Sequence, residues 1–274
     1  MYEIVEKRVL APNISLFKVK APRIALKRKP GNFVVVRIDE RGERIPLTIA
    51  GADIKEGTIT IVTQEVGRTT KQMVAMEPGD AFQDVVGPLG KATHIENYGT
   101  AVTVSGGYGV AAVVPIAEAF KAAGSYVISI IGARNKELVI LEEDIQAVSH
   151  EVHISTNDGS YGQKGLVTDV LKHIIEGERK VGFVIAVGPT PMMRAVSELT
   201  RPYAIKTMVS LNSIMVDGTG MCGSCRVTVG GQSRFVCVDG PEFDGHEVDF
   251  DEMVKRQKMY LDEEKRALEE YLHG

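Results

Sequence analysis

The chain has only three cysteines in 274 residues, no excess of positive charge and no long uninterrupted apolar run. Each shortage excludes a class of protein. The cysteines, Cys222, Cys225 and Cys237, are an odd number within one short stretch, which argues against a disulfide framework and for ligands. Every apolar run is broken by Gly, Pro or charge well short of the roughly 20 residues a membrane helix needs. The N-terminal MYEIVEKRVLAP scatters charge where a leader would have an apolar core, so a cytoplasmic protein without membrane contact is expected. A net charge of -4 provides no basic footprint for nucleic acid. There are no internal repeats and no low-complexity tract. What is present is ordinary: 44% apolar and 25% charged residues, and a length that suits two domains with a small appendage.

The chain changes rhythm three times. Up to about residue 98, short β-branched runs such as ISLFKVK, FVVVRI and TITIVT alternate with Gly, Pro and Asp/Asn turns, which predicts an antiparallel β-barrel. One short helix is expected there, Lys71 to Met76, capped by Thr69 or Thr70. From 99 to 204, strands rich in Val and Ile alternate with helix-length segments, including a helix over Glu137 to Ala147. This predicts an open parallel α/β domain covered on both faces. Residues 205–248 form a Gly- and Cys-rich segment. Residues 249–274 form a charged C-terminal helix whose thin apolar stripe runs through Met253, Tyr260, Leu261, Leu268, Tyr271 and Leu272. The fold class is thus multidomain, β plus α/β.

The strongest chemical signal is Asp217-x4-Cys222-x2-Cys225-x11-Cys237. It reproduces the C-x4-C-x2-C spacing of plant-type [2Fe-2S] sites with Asp in the first position. Gly218, Gly220 and Gly223 allow the backbone to fold closely around a cluster and turn N–H groups toward its sulfides. A zinc knuckle with three cysteines and an aspartate is the alternative, although it does not require so glycine-dense a loop. Asp in a Gly-rich loop is ordinarily a turn former, but Asp217 stands where the fourth ligand is missing. An oxygen ligand there would shift the potential and spectrum of the cluster.

A second signal is SGGYGVAAVVP, with Gly106, Gly107 and Gly109 at a strand-to-helix junction, where glycines admit a dinucleotide pyrophosphate to helix N–H groups. The loops TNDGSYGQKG, starting at Thr156, and GPTPMM, starting at Gly188, also follow predicted strands. All three are expected at the C-terminal edge of the sheet. A third signal is Arg44-Ile-Pro46-Leu47-Thr48 followed by Gly67-Arg-Thr69-Thr70, where an arginine and a helix start offer charge and donors to a diphosphate. Each is mundane alone: a Gly-rich βα turn, a solvated Arg and a helix cap.

In this order the parts resemble the ferredoxin–NADP reductase-like family. More narrowly, they resemble small subunits of NADH-dependent reduced ferredoxin:NADP oxidoreductase, also called sulfide dehydrogenase, with the electron-transfer subunits of dihydroorotate dehydrogenase as relatives. The resemblance covers nearly the whole chain. It implies FAD on the barrel, with Arg44, Pro46, Leu47 and Thr48 on one flavin strand, Val62, Thr63 and Gln64 on the next, and Gly67, Thr69 and Thr70 at the diphosphate. It implies NAD(H) at Gly106, Gly107, Gly109 and Asp158, with Gly188, Pro189 and Met192 near the nicotinamide. The family often has Cys before that Gly-Pro, where this chain has Val187. The expected [2Fe-2S] ligands are Asp217, Cys222, Cys225 and Cys237, and Asp217 favours the ferredoxin:NADP branch over the four-cysteine dihydroorotate branch.

The implied partner is a larger iron–sulfur flavoprotein subunit, through which ferredoxin and NADP would be reached in an electron-bifurcating heterodimer. Nicotinamide and flavin carry hydride chemistry themselves, so no catalytic side chain is expected. NADP(H) is the alternative coenzyme, since Arg134 and Lys136 could meet a 2′-phosphate. A cluster-based redox sensor is the reading from another class.

Overall fold

A computed structural model of the chain describes residues 1–273. Seven strands build the first sheet: β1 (Tyr2–Ala11), β2 (Ile14–Lys20), β3 (Phe33–Arg37), β4 (Ile45–Asp53), β5 (Thr58–Gln64), β6 (Ala81–Phe82) and β7 (Asp84–Leu89). They run in the order β6-β1-β2-β5-β4-β3-β7 with antiparallel pairing throughout, a barrel-like sheet. Alternation places Phe17, Val19, Val34, Val36, Ile59 and Ile61 in the barrel core, each 0% exposed, while Leu16, Phe33, Val35 and Val62 on the opposite face are buried against the rest of the molecule.

Two helices accompany this sheet, where the sequence predicts one. The unforeseen α1 (Pro22–Lys27) has Pro22 in its first turn and buries only Ile24 and Ala25, too short a segment for periodicity to reveal. The expected helix, α2 (Arg68–Ala75), starts three residues earlier than predicted because Gly67 is its N-cap. The Thr70 hydroxyl accepts the Gly67 and Val66 N–H groups at 3.0 and 2.9 Å.

The second sheet contains β8 (Thr100–Gly106), β9 (Tyr126–Ala133), β10 (Glu151–Thr156), β11 (Gln163–Lys164), β12 (Phe183–Val187) and β13 (Lys206–Ser210), all parallel. Two strands past residue 204 therefore join it: β13, and further on the antiparallel edge strand Glu242–Asp244. The sheet is mixed, where a purely parallel one is expected. Its helices are α3 (Val110–Ala122), α4 (Glu142–Val148), α5 (Val167–Ile175) and α6 (Thr190–Thr200). The helix expected over Glu137 to Ala147 is a single 3-10 turn at Lys136–Leu138 followed by α4, because Leu141 adopts a left-handed φ of 53° that no helix continues through.

The hairpin β14 (Arg226–Val229) and β15 (Gln232–Phe235) leads into the short helix α7 (Val236–Asp239), the edge strand β16 (Glu242–Asp244), and then α8 (Phe250–Gln257) and α9 (Leu261–His273). The charged tail is thus two helices, where the sequence predicts one. Asp249 caps α8 through a 2.9 Å bond from the Glu252 N–H. Met253 is buried, but Tyr260, Leu261, Tyr271 and Leu272 of the stripe are exposed.

Apolar packing does not respect the changes in sequence rhythm. One cluster joins Phe33 and Val35 of the barrel to Val104 and Val184 of the second sheet and to Cys225, Val236 and Cys237. A second joins Leu16 and Val62 to α3. Tyr98, at the end of the link between the sheets, stacks on Phe183 at 4.2 Å with Phe120 edge-on at 5.5 Å. Each such pair contributes about 1 kcal/mol beyond its buried area.

A carboxyl also sits at this junction. Glu242 accepts the Thr93 hydroxyl at 2.5 Å, and burial raises its pKa from 4.5 to about 7. Between those values the folded chain holds a proton that the unfolded chain has released. The contribution to stability is therefore full below pH 4.5 and is lost as pH rises through about 7. Denaturant midpoints measured from pH 5 to 8 are expected to fall with rising pH, and Glu242→Gln to flatten that slope.

Candidate functional site

Strands β8 and β12 are neighbours in parallel register, with Ser105 opposite Val187, so their C-terminal turns emerge at one level. The two turns touch. A Cβ on Gly109 would lie 2.4 Å from the Val187 carbonyl oxygen, and one on Gly106 would lie 2.6 Å from the Met192 sulfur. Gly107, with φ of 57°, turns the chain into the 3-10 turn that leads into α3.

Between these turns and the barrel lies a cavity of about 540 Å³. Its walls include Pro46, Leu47, Thr48, Val62 and Gln64 on one side, and Gly106, Gly107, Gly109, Gly188 and Pro189 on the other. Met192 supports the turns from beneath. A second cavity of about 970 Å³ shares Pro46, Leu47 and Gln64 with the first and extends past Arg44, Thr63 and Thr70 to α9. Gly67 and Thr69 lie beside it, with the Thr69 hydroxyl donated to Glu43 at 2.5 Å. Thr63 and Ser213 contribute to the wall of this second cavity, and their hydroxyl oxygens are buried within the protein without a hydrogen-bond partner.

Asp158 is not brought to this site. Its carboxylate accepts the Ser160 N–H and hydroxyl at 2.9 and 2.7 Å inside its own exposed loop, which holds its pKa below the usual carboxylate value. The sheet order explains the separation: β9 stands between β10, which carries this loop, and β8.

Sequence reasoning missed Phe33, Tyr108, Asn212, Met215 and Gln257, all of which line the first cavity. Tyr108 was within the glycine string and legible there. The segment Asn212–Met215 carries no pattern, and only the fold brings it to the wall.

From that wall the chain runs straight into the cysteine loop, since Ile214, Met215 and Val216 line the second cavity and Asp217 follows. The Asp217 carboxylate accepts the N–H groups of Thr219, Met221 and Cys222 at 3.0, 3.0 and 2.9 Å, and those bonds lower its pKa to about 2. Cys225 and Cys237 are buried with their sulfurs 3.2 Å apart, too far for a disulfide at about 2.05 Å. Burial pushes the Cys237 thiol well above its usual pKa, as does Cys225 beside it, while a backbone hydrogen bond from Gly220 opposes the shift. Cys222 is exposed, its sulfur 3.1 Å from the Ser224 hydroxyl, a contact that lowers its pKa.

Among the described residues, no three Cys, His, Asp or Glu side chains converge on one ion. The loop instead offers two pairs, Asp217 with Cys222 and Cys225 with Cys237. Two pairs suit a two-iron cluster, in which each iron takes two protein ligands. Gly218, Gly220 and Gly223 all have φ between 68° and 86°. At Gly218 a Cβ would strike Val35 and Leu89 at 2.9 Å, so the loop lies directly on the barrel.

Residues 212–249 match the iron–sulfur cluster binding domain of dihydroorotate dehydrogenase B. Over 270 residues the chain is 46% identical to a dihydroorotate dehydrogenase B (NAD(+)) electron transfer subunit homolog of Thermotoga maritima, covering 98% of this chain and 95% of the other. It is 33% identical over 258 residues to the dihydroorotate dehydrogenase B (NAD(+)) electron transfer subunit of Bacillus caldolyticus, covering 89% of this chain and 96% of the other. A chain in the solved structure of an NADH-dependent reduced ferredoxin-NADP oxidoreductase, described for flavin-based electron bifurcation, superposes with a TM-score of 0.94 at 45% identity, covering 99% of this chain and 98% of that one. With two-sheet architecture, cluster loop and relatives in agreement, this chain belongs to the family of dihydroorotate dehydrogenase B electron-transfer subunits.

Proposed function

We propose that this chain is an electron-transfer subunit that accepts hydride from NADH at a barrel-bound FAD and passes single electrons to a [2Fe-2S] cluster. It would do so within an electron-bifurcating ferredoxin:NADP oxidoreductase. The observation that carries this reading is the continuity of wall and loop: the segment that closes the flavin cavity becomes, at the next residue, the first part of the cysteine loop. When bound, the flavin supplies conversion of a two-electron donor into one-electron traffic, and the cluster takes those electrons singly.

The residues provide binding and alignment. Arg44 and the start of α2 offer charge and N–H donors to a diphosphate. The turns at Gly106–Gly109 and Gly188–Pro189 admit a nicotinamide dinucleotide against the opposite wall of the same cavity. Asp217, Cys222, Cys225 and Cys237 would hold the cluster. Three of the roughly four lone-pair sites of an ionised carboxylate are taken by backbone N–H groups at Asp217, which leaves one for iron.

Kinship with the oxidoreductase chain at 45% identity supports a heterodimer with a larger iron–sulfur flavoprotein subunit, through which ferredoxin and NADP would be reached. The relatives at 46% and 33% identity, both described as dihydroorotate dehydrogenase B electron transfer subunits or homologs, support a second reading, service to a dihydroorotate dehydrogenase, and Asp217 in a cysteine position favours the first. Three unbridged cysteines fit a cytoplasmic location.

The test is anaerobic titration of the purified protein with NADH and, separately, NADPH, followed by flavin absorbance and electron paramagnetic resonance. Bleaching by NADH with a [2Fe-2S] signal is expected, together with a larger flavoprotein when the subunit is captured from its native source. Failure of both coenzymes to reduce a bound flavin would overturn the proposal.

A further inference from the structure

We infer that Gln257, the last residue of α8, is a positioning residue for the nicotinamide dinucleotide: it fixes the wall of the first cavity by clasping the turn after β12 to the segment after β13. The inference rests on the nucleotide reading of that cavity given above. Strands β12 and β13 lie side by side in parallel, with Val187 opposite Ser210. Beyond that pair their chains diverge. One passes through Gly188 and Pro189 into α6, and the other continues as Leu211 and Asn212 toward the cysteine loop. Thr190 and Asn212, one on each branch, line the first cavity, and Gln257, which also lines it, bridges them.

The bridge uses both ends of one amide. Gln257 Nε2 donates to the Asn212 carbonyl at 2.6 Å, and its Oε1 accepts the Thr190 hydroxyl at 2.9 Å. A carbonyl only accepts, which fixes the amide nitrogen toward Asn212 and leaves the amide oxygen for Thr190. Thr190 is 6% exposed, so its hydroxyl has little access to water in place of this partner. Helix α6 begins at this residue without a side-chain cap of its own, and the clasp restrains it from outside the helix.

Gln257 is itself firmly held. Phe250 and Met253 of α8 are buried in the apolar cluster that contains Cys225 and Cys237. Near the helix start Glu252 accepts the Thr228 N–H, and at its end the Arg256 guanidinium donates to the Ser224 carbonyl, both at 2.9 Å. Ser224 lies between Cys222 and Cys225. The helix is thus anchored on the cysteine segment and reaches from there to the wall of the first cavity. A wall already held in place spares the ordering cost that binding would otherwise carry and keeps the ligand in one geometry. Gln257 acts through Thr190 and Asn212, with both ends of its amide occupied, so it positions and does not react.

The experiment measures NAD+ affinity by isothermal titration calorimetry on the full chain carrying its flavin and cluster, beside thermal melts and flavin and iron content. Gln257→Met, of similar reach but without the amide, is expected to weaken NAD+ binding by about tenfold, the affinity scale of one or two neutral hydrogen bonds. Thr190→Val is expected to lose part of that, while Thr190→Ser, which keeps the hydroxyl, should bind like wild type. Because the two residues act as a pair, Thr190→Val/Gln257→Met should be no weaker than Gln257→Met alone. Lys255→Gln, exposed on the same helix, is the control and should match wild type. With an artificial acceptor, Gln257→Met should raise the KM for NADH and leave kcat nearly unchanged.

NAD+ affinity that is unchanged in Gln257→Met, that falls only in step with melting temperature or cofactor content, or that falls equally in Thr190→Ser and Thr190→Val overturns the inference and leaves the function reading intact. A wild-type chain that holds its flavin but binds neither NAD+ nor NADP+ overturns both.

Discussion

Protein carrying Asp217→Cys is expected to keep its iron and show displaced g-values after reduction by NADH, whereas Cys225→Ser and Cys237→Ser are expected to be purified nearly iron-free. The two cysteines are buried at 2% and 1% exposure, and their 3.2 Å separation leaves no room for substitutes of different reach. Serine places a poorer, shorter ligand there in a pocket that cannot relax to accommodate it. Loss of at least 10- to 100-fold in cluster retention is the expected scale, since even ligand-supporting groups are worth about that much.

Asp217 differs because it has two roles. It stands where the proposed cluster would take its fourth ligand, and its carboxylate ties three N–H groups of the loop. Cysteine restores a thiolate ligand but not those bonds, so the cluster persists with altered electronic structure. Alanine removes both and should lose most of the iron. Iron and sulfide analysis beside electron paramagnetic resonance separates the outcomes. A spectrum indifferent to Asp217→Cys and Asp217→Ala would show that Asp217 only ties the loop, and would remove the reason for preferring the ferredoxin:NADP branch.

The second large effect is expected from Gly109→Ala. The added Cβ would lie 2.4 Å from the Val187 carbonyl oxygen and 2.9 Å from its carbon, and both belong to backbone that cannot swing aside. The turn after β8 must then part from the turn after β12, and these two surfaces form the wall of the first cavity proposed to receive the nicotinamide dinucleotide. A stability loss of about 1–3 kcal/mol is the usual cost of such overpacking. The KM for NADH is expected to rise by at least about tenfold, since displacement by roughly 1 Å carries rate and binding penalties of that order or more. Gly107→Ala is the comparison: nothing lies within 4 Å of its Cβ, and only its φ of 57° is strained. It should cost about 1 kcal/mol and leave the contact between the two turns intact. Steady-state NADH oxidation with an artificial acceptor, run beside thermal melts, distinguishes steric closure of the site from general destabilisation.

Several features were legible before any coordinates. Alternation in ISLFKVK and TITIVT marks strands because a strand exposes every second side chain, and the Val- and Ile-rich runs after residue 99 mark a sheet covered on both faces. The spacing from Asp217 to Cys237 specifies a loop chemistry locally, because four ligands close in sequence need little from the rest of the fold. The GGYG string announces a tight βα turn, since only glycine takes its backbone angle and tolerates its neighbour. Local rules failed where a segment was too short, as at α1, or where one backbone angle interrupted a helical pattern, as at Leu141. Asp158 looked like its neighbours in kind, but β9 stands between its strand and the glycine turn.

The sequence alone therefore determined the kinds of element, their order and the cluster motif, since each depends on side chains within a few residues of one another. Tertiary structure decided which of them meet. Adjacency of β8 and β12 brings two glycine turns, at Gly106–Gly109 and at Gly188, into contact. Docking of Gly218 on Val35 and Leu89 sets the cluster loop against the barrel. The turn after α8 brings α9 to the wall of the second cavity. These contacts join residues far apart in the chain, and they depend on strand order and shape complementarity, which no local pattern encodes.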